Sequence, residues 1–102
     1  MASRQKLHNQ LAEIIGDSKR VYFQPPESIK LTYPCIIYFY EPPKDDYADD
    51  RLYKTKDRYT VTIIDRDPDS PYKETIRELK YCSADRPYRA DNLYHFVFTI
   101  YI

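Results

Sequence analysis

The stretch that decides the fold is the last one, residues 93–102, which reads LYHFVFTIYI. Eight of its ten residues are aliphatic or aromatic, and the alternation predicts a strand with two distinct faces. One face would carry Tyr94, Phe96, Phe98, Ile100 and Ile102, and the other Leu93, His95, Val97, Thr99 and Tyr101. Because chain ends fray unless a sheet holds them, we expect this strand to pair centrally, with one face under helices.

Three more strands are expected upstream of this one, at Val21–Phe23, residues 31–41 and residues 58–66. In residues 31–41 both faces are apolar or aromatic, with Cys35, Ile37 and Phe39 on one and Ile36, Tyr38 and Tyr40 on the other. In residues 58–66, Thr60 and Thr62 would face away from Val61 and Ile63. Since a strand that is apolar on both faces needs cover on both, something must lie on each side of this sheet.

Two helices are predicted to supply part of that cover. Residues 3–15 place an apolar stripe at helical spacing, and Gly16, the only glycine, stands where a helix ends with positive φ. A second helix would begin with Ser70 as N-cap and Pro71 in the first position. Its inward residues would be Tyr72, Ile76 and Leu79. Residues 83–92, SADRPYRADN, read as a loop.

These elements predict an α+β fold over residues 1–102, in the order α-β-β-β-α-β. The sheet would be mostly antiparallel, with both helices on one face. Nothing left in the chain of 102 residues would cover the second face. We therefore expect sister copies of the protein to cover it.

The segment 41–58, EPPKDDYADDRLYKTKDR, is the most charged part of the chain. Its acidic limb holds Asp45, Asp46, Asp49 and Asp50, and the basic limb that follows includes Arg51 and Lys54. One interpretation is a solvated hairpin between two strands. The other is a projecting arm whose acidic limb meets a basic limb on a neighbouring copy.

Composition restricts the classes of function. Sixteen basic residues balance sixteen acidic ones, which argues against a sequence-specific nucleic-acid binder. No apolar run approaches the roughly 20 residues of a membrane span, so we expect no membrane partner and a cytoplasmic site of synthesis. The two cysteines, Cys35 and Cys82, lie among apolar residues and are expected to be buried free thiols.

The sequence also offers little catalytic chemistry. DRDPDS, residues 65–70, starts like a calcium loop but has Ser70 and Ile76 where such a loop needs glycine and glutamate. His8 and His95 have no ligand at short spacing, and one glycine is too few for a phosphate loop. We expect neither an enzyme nor a cofactor or metal site.

Three stretches of the chain resemble a known family. RVYFQPPESIKLTYPCIIY, RYTVTIIDRDPDSP and DRPYRADNLYHFVFTIYI, together with the N-terminal MASRQKLHNQLAEIIG, resemble the small tail-completion, or tail-terminator, proteins of long-tailed bacteriophages and prophages of Gram-positive bacteria. The resemblance covers most of the chain and departs from the family in residues 42–56.

This resemblance implies a structural virion subunit with no reaction. Six copies would form a ring that caps the finished tail tube and offers a docking surface to the head connector, in the neck of the virion, after synthesis in the host cytoplasm. We expect subunit contacts at Tyr38, Tyr40, His95 and Tyr101, on the sheet faces less covered by helices, and at the charged arm. The alternatives are another neck component, such as a head-closure or connector subunit, and a bacterial adaptor that binds an unidentified protein.

Overall fold

A computed structural model describes residues 3–41 and 57–102, which form an α+β structure with two α-helices and a six-stranded sheet. The predicted α+β class is therefore confirmed, but the predicted order α-β-β-β-α-β lacks two short strands that lie between the second helix and the last strand. In chain order the elements are α1 (Ser3–Ile15), a 3₁₀ turn (Ser18–Arg20), β1 (Val21–Phe23), β2 (Cys35–Glu41), β3 (Arg58–Asp65), α2 (Tyr72–Arg77), β4 (Cys82–Ala84), β5 (Tyr88–Ala90) and β6 (Leu93–Tyr101).

The sheet has the order β1-β2-β3-β6-β4, and β5 also pairs with β6. Strand β1 runs parallel to β2, while the other pairs are antiparallel, so the sheet is mixed. Strand β6 lies between β3 on one side and the β4 and β5 segments on the other. The expectation that the final strand pairs centrally is confirmed, and its backbone is hydrogen-bonded on both edges.

The prediction of a loop over residues 83–92 is wrong for residues 83–84 and 88–90, because β4 and β5 form a broken edge strand along β6. Cys82 lies opposite Ile100 and Tyr88 opposite His95. Those pairs span six steps on the edge strand (88 − 82) but five on β6 (100 − 95), so the edge strand holds one extra residue, a β-bulge. Its polar residues favour a loop locally, and pairing with the apolar β6 overrides that preference.

The prediction also missed the tight turn that connects β5 to β6. Asp91 and Asn92 have φ values of +54° and +62°, the left-handed conformation that a two-residue hairpin turn requires at both central positions. Asp and Asn tolerate that conformation better than other residues with a side chain. This turn sets the register between Tyr88 and His95.

The helix and strand boundaries are confirmed in part. Helix α1 spans the predicted residues and ends at Gly16, whose φ is +81°. Helix α2 begins at Tyr72, and Pro71, which has no capping side chain, occupies the N-cap position expected for Ser70. Strand β2 begins only at Cys35, directly after Pro34, a residue without a backbone N–H.

Both helices pack on one face of the sheet and build the core there. Leu7 and Leu11 of α1 and Ile76 of α2 have no exposed surface and share one apolar cluster with the sheet. The buried sheet residues of this cluster are Val21, Ile36, Tyr38, Tyr59, Val61, Ile63, Phe98 and Ile100. Burying each such large side chain stabilises the fold by about 1.5–3 kcal/mol, so this side of the sheet supplies most of the hydrophobic stability.

Candidate functional site: the open face of the sheet

The side of the sheet that points away from α1 and α2 is the candidate contact surface. We name it the open face and define it by the outward residues of the three long strands and of β5. They are Cys35, Ile37, Phe39 and Glu41 of β2, Arg58, Thr60, Thr62 and Ile64 of β3, Leu93, His95, Val97, Thr99 and Tyr101 of β6, and Tyr88 and Ala90 of β5. The register aligns Ile37, Thr62 and Val97 in one row across the sheet.

Cover on the open face is uneven. Cys35 and Ile64 are buried, although they lie outside the cluster beneath the helices, and Thr62 is also buried. Phe39 is 38% exposed and Tyr88 53% exposed, among the largest apolar exposures in the described residues. The expectation that this face lacks cover therefore holds around Phe39 and Tyr88, and fails at Cys35 and Ile64, where segment 24–34 enters β2.

Two of the three threonines of the open face, Thr60 and Thr99, have their hydroxyl groups occupied within the chain. Thr60 Oγ1 donates to Glu41 Oε1 at 3.1 Å, and Thr99 Oγ1 donates to Asp85 Oδ2 at 2.8 Å. Because these donors are already bonded, a partner that covers the face does not have to satisfy them. The threonine methyl groups and the half-buried Ile37 and Val97 make up an apolar surface beside Phe39.

Tyr88 and His95 form an aromatic pair at the β5 end of the open face. Their rings are stacked with centroids 4.4 Å apart and planes 14° from parallel. His95 Nδ1 lies 3.3 Å from the Leu93 carbonyl oxygen, which only accepts, so Nδ1 carries the hydrogen. The stack supports the exposed Tyr88 ring, and a supported aromatic side chain with a polar tip is typical of interface anchors.

The structure contradicts one of the four predicted contact residues of the sheet. Tyr38 has no exposed surface and lies beneath α1, with its hydroxyl oxygen 2.7 Å from His8 Nδ1. Arg4 also donates to that oxygen at 3.5 Å. Burial raises the pKa of Tyr38. Tyr38 is therefore a core residue and is not available to another subunit.

The other predicted residues fall on two different surfaces. Tyr40 is 40% exposed but points to the helix side of the sheet, where its ring contacts Tyr59 at 5.5 Å. His95 and Tyr101 share the open face and are half-buried. The predicted arm residues Asp45, Asp46, Asp49, Asp50, Arg51 and Lys54 lie outside the described residues, so their role stays a prediction.

Phe39 and Tyr88 are the candidate contact residues that the sequence reasoning missed. Alternation places Phe39 on the correct face of β2, but both faces of that strand are aromatic, so alternation alone does not identify the face that lacks helix cover. The sequence of β3 holds a signal for the correct face, because Thr60 and Thr62 make one side of that neighbouring strand more polar than the other. Tyr88 was missed because its segment was predicted to be a loop.

Both cysteines are free thiols, as predicted, but only Cys35 is fully buried, and Cys82 is half-buried. Burial raises the pKa of Cys35 to about 12 and that of Cys82 to about 11. The thiolate is the reactive form of cysteine, so at neutral pH both side chains are protonated and unreactive. Cys35 is buried, and Cys82 packs against the core from β4.

The acidic stretch that begins like a calcium loop is a pair of turns. Asp65 Oδ1 accepts from the backbone N–H of Asp67, and Asp67 Oδ1 accepts from that of Asp69. Within residues 3–41 and 57–102, no three His, Cys, Asp or Glu side chains are grouped so that they could hold a metal ion. No helix in the same ranges is long and apolar enough to cross a membrane.

A shallow groove lies on the other side of the molecule, between α2 and β4. Phe96 and Phe98 form part of its floor, and Lys73 and Arg77 stand at its rim. Lys73 Nζ lies 5.1 Å from the Phe96 ring centroid, and Arg77 pairs with Glu74 at 3.7 Å. The rim charges thus have partners within the chain, which leaves the open face as the stronger candidate.

Comparisons with protein-family models, with curated proteins and with solved structures found no match to this chain.

Proposed function

We propose that this chain is a ring-forming tail-terminator subunit of a long-tailed bacteriophage or prophage. The proposal rests on the resemblance of three stretches of the sequence to that family. The structural observation that supports it is the open face, where Phe39 and Tyr88 remain exposed beside apolar residues. A subunit that contacts copies of itself, a tail tube and a connector needs such a surface and no catalytic site.

Both edges of the sheet are poor places for another chain to pair. Strand β1 has three residues and is followed closely by Pro25 and Pro26. The other edge carries the β-bulge, with Pro87 and charged residues beside it. Short strands, bulges, prolines and charges all block edge-to-edge pairing. The face of the sheet is therefore the surface through which we expect copies to associate.

A contact between the open face of one copy and a different surface of the next is heterologous, and such contacts close into rings when the rotation permits. Six copies is the number that the family resemblance implies. The predicted contact between the acidic limb of segment 41–58 and the basic limb of a neighbouring copy is part of the same proposal, and it concerns residues outside the described ones. The tail-tube protein and the head connector are then the partners, and the finished subunit resides in the virion neck.

The direct test is electron microscopy of the purified protein mixed with tail tubes. The wild-type protein is expected to form rings at tube ends. Phe39→Thr removes an exposed open-face aromatic and keeps a strand-forming residue, so it should abolish or strongly weaken ring formation. Tyr40→Thr is the matched control, because Tyr40 is equally exposed on the opposite side of the same strand.

Three results would count against the proposal. They are a wild-type protein that stays monomeric and ignores tubes, normal rings from Phe39→Thr, and an equal loss in the Tyr40→Thr control. Binding to a purified connector without binding to tubes would instead favour the head-closure alternative. Circular dichroism of each variant establishes that its fold is intact before assembly is scored.

A further inference from the structure

The hydroxyl of Tyr38 joins α1 to the sheet through a small polar cluster inside the core. His8 Nδ1 lies 2.7 Å from the Tyr38 oxygen, and an Arg4 guanidinium nitrogen lies 3.5 Å from it. The Tyr38 ring packs against Phe23 at 5.0 Å and Tyr59 at 6.1 Å between centroids. Since Tyr38 has no exposed surface, its hydroxyl depends on these two α1 side chains for partners.

The hydrogens of this cluster can be assigned from its donors. Arg4 only donates, so the Tyr38 oxygen accepts from Arg4 and its own hydrogen needs an acceptor. A neutral His8 with its hydrogen on Nε2 offers Nδ1 as that acceptor. In this arrangement every polar atom of the contact has a complementary partner.

A proton on His8 removes this complementarity. The protonated ring carries hydrogen on both nitrogens, so Nδ1 must donate to the Tyr38 oxygen. The oxygen then faces two cationic donors, and the Tyr38 hydrogen loses its acceptor in a buried site, which is costly. Arg4 also adds a like charge one turn away on the same helix.

Two features of the surroundings of His8 oppose its protonation. Burial and the positive charge of Arg4 lower the pKa of His8. From β2 it faces Tyr38, and behind Tyr38 lies Tyr59 of β3. On β1 the neighbouring side chain is Phe23, over which the Arg4 guanidinium lies at 5.0 Å from the ring centroid. Among the described residues, Arg4 is thus the charged group that acts on His8, and it favours the neutral form.

We propose that Arg4, His8 and Tyr38 form an acid-sensitive latch, which holds the N-terminal half of α1 on the sheet at neutral pH and loosens it when His8 takes up a proton. The latch concerns the isolated chain and goes beyond the proposed ring assembly. Opening it would uncover Tyr38 and Phe23 on the helix side of the sheet.

The direction of the pH effect follows from linkage. The unfolded chain binds a proton on His8 near the ordinary pKa of 6.5, whereas the folded chain binds it at a lower pH. The stabilisation that depends on neutral His8 is therefore complete above pH 6.5 and is lost progressively as the pH falls below that value. We expect α1 to open before the strands do.

Hydrogen exchange followed by NMR at about pH 7.5 and about pH 5 tests the latch. Protection of the α1 amides in the wild-type protein should fall about threefold or more at the lower pH, relative to the amides of β3. In His8→Gln the fall should disappear, because the amide oxygen can accept from Tyr38 without titrating. His95→Gln is the matched control for α1 protection, since it removes the other histidine, on the open face, and the α1 amides should show the same fall as in the wild type.

Two outcomes would overturn the latch. One is an equal loss of α1 protection in His8→Gln and the wild type, and the other is a wild-type helix whose protection does not change. An NMR titration of the His8 ring in the wild-type protein gives an answer even if the variant folds poorly. A midpoint below pH 6.5 supports the latch, and a midpoint at or above it contradicts the latch.

Discussion

The two faces of this sheet are built by the same strands and differ in almost every physical respect. On the helix side, β3 presents Val61 and Ile63, neither of which has any exposed surface. On the open face the same strand presents Thr60 and Thr62, and β2 presents Phe39, which is 38% exposed. Neighbouring residues in one strand thus belong to a dry core and to a surface that is partly wet.

The two faces therefore differ in their roles: the helix side stabilises the fold, and the open face is the candidate surface for contact with a partner. The helix side is filled with aliphatic and aromatic side chains that lose their exposed area on folding, and that burial is the main driving force of folding. On the open face, threonine satisfies the strand preference for β-branched residues and keeps a polar group for intrachain bonds. A face of this kind can be covered by a partner or remain in water, which a core face cannot do.

The largest effect should come from a truncation on the helix side. Ile63→Ala leaves a cavity in the centre of β3, and we expect the free energy of unfolding to fall by about 2–5 kcal/mol. The measurement is chemical denaturation of purified protein. Ile37→Ala on β2 removes the same atoms from a half-buried position of the open face and should cost clearly less. Equal losses would mean that the open face is also a core.

The sequence alone predicted much of the fold because the alternation in β2, β3 and β6 and the stripe of α1 are local signals. The edge strand could not be found in this way. Its residues Asp85, Arg86 and Pro87 favour a loop. The residues on either side of them form β4 and β5 only because they pair with the edge of β6.

The candidate site was harder to predict than the fold. Period-two alternation says that Tyr38 and Phe39 point in opposite directions, but both side chains are aromatic, so it does not say which one meets α1. That choice depends on the pairing of β2 with β3 and on the packing of α1, which are contacts between residues distant in the sequence. The polar side chains of Thr60, Thr62 and Thr99 identify the face without helix cover only when that register is known.

A medium effect is expected at the turn that aligns Tyr88 with the open face. Asn92→Ala places an alanine at a φ of +62°, which should lower the free energy of unfolding by about 1–2 kcal/mol. Asn92→Gly is the control, because both changes remove the bond that Arg89 donates to Asn92 Oδ1 and only alanine adds backbone strain. If the glycine variant is equally destabilised, the lost side-chain bond matters and the strain does not.

The smallest change in stability should come from the open face itself. Phe39→Thr places a threonine, which is a good strand former, beside Thr60, its partner on β3. The free energy of unfolding should change by less than about 1 kcal/mol. The expectation is modest because Phe39 remains 38% exposed, so its burial supplies only part of the stabilisation that a core aromatic gives, and threonine keeps some of that contact. The measurement is the same denaturation experiment, with Tyr40→Thr beside it. A loss in Phe39→Thr as large as that of Ile63→Ala would assign Phe39 to the interior of the fold, and the open face would then no longer be a surface kept for a partner.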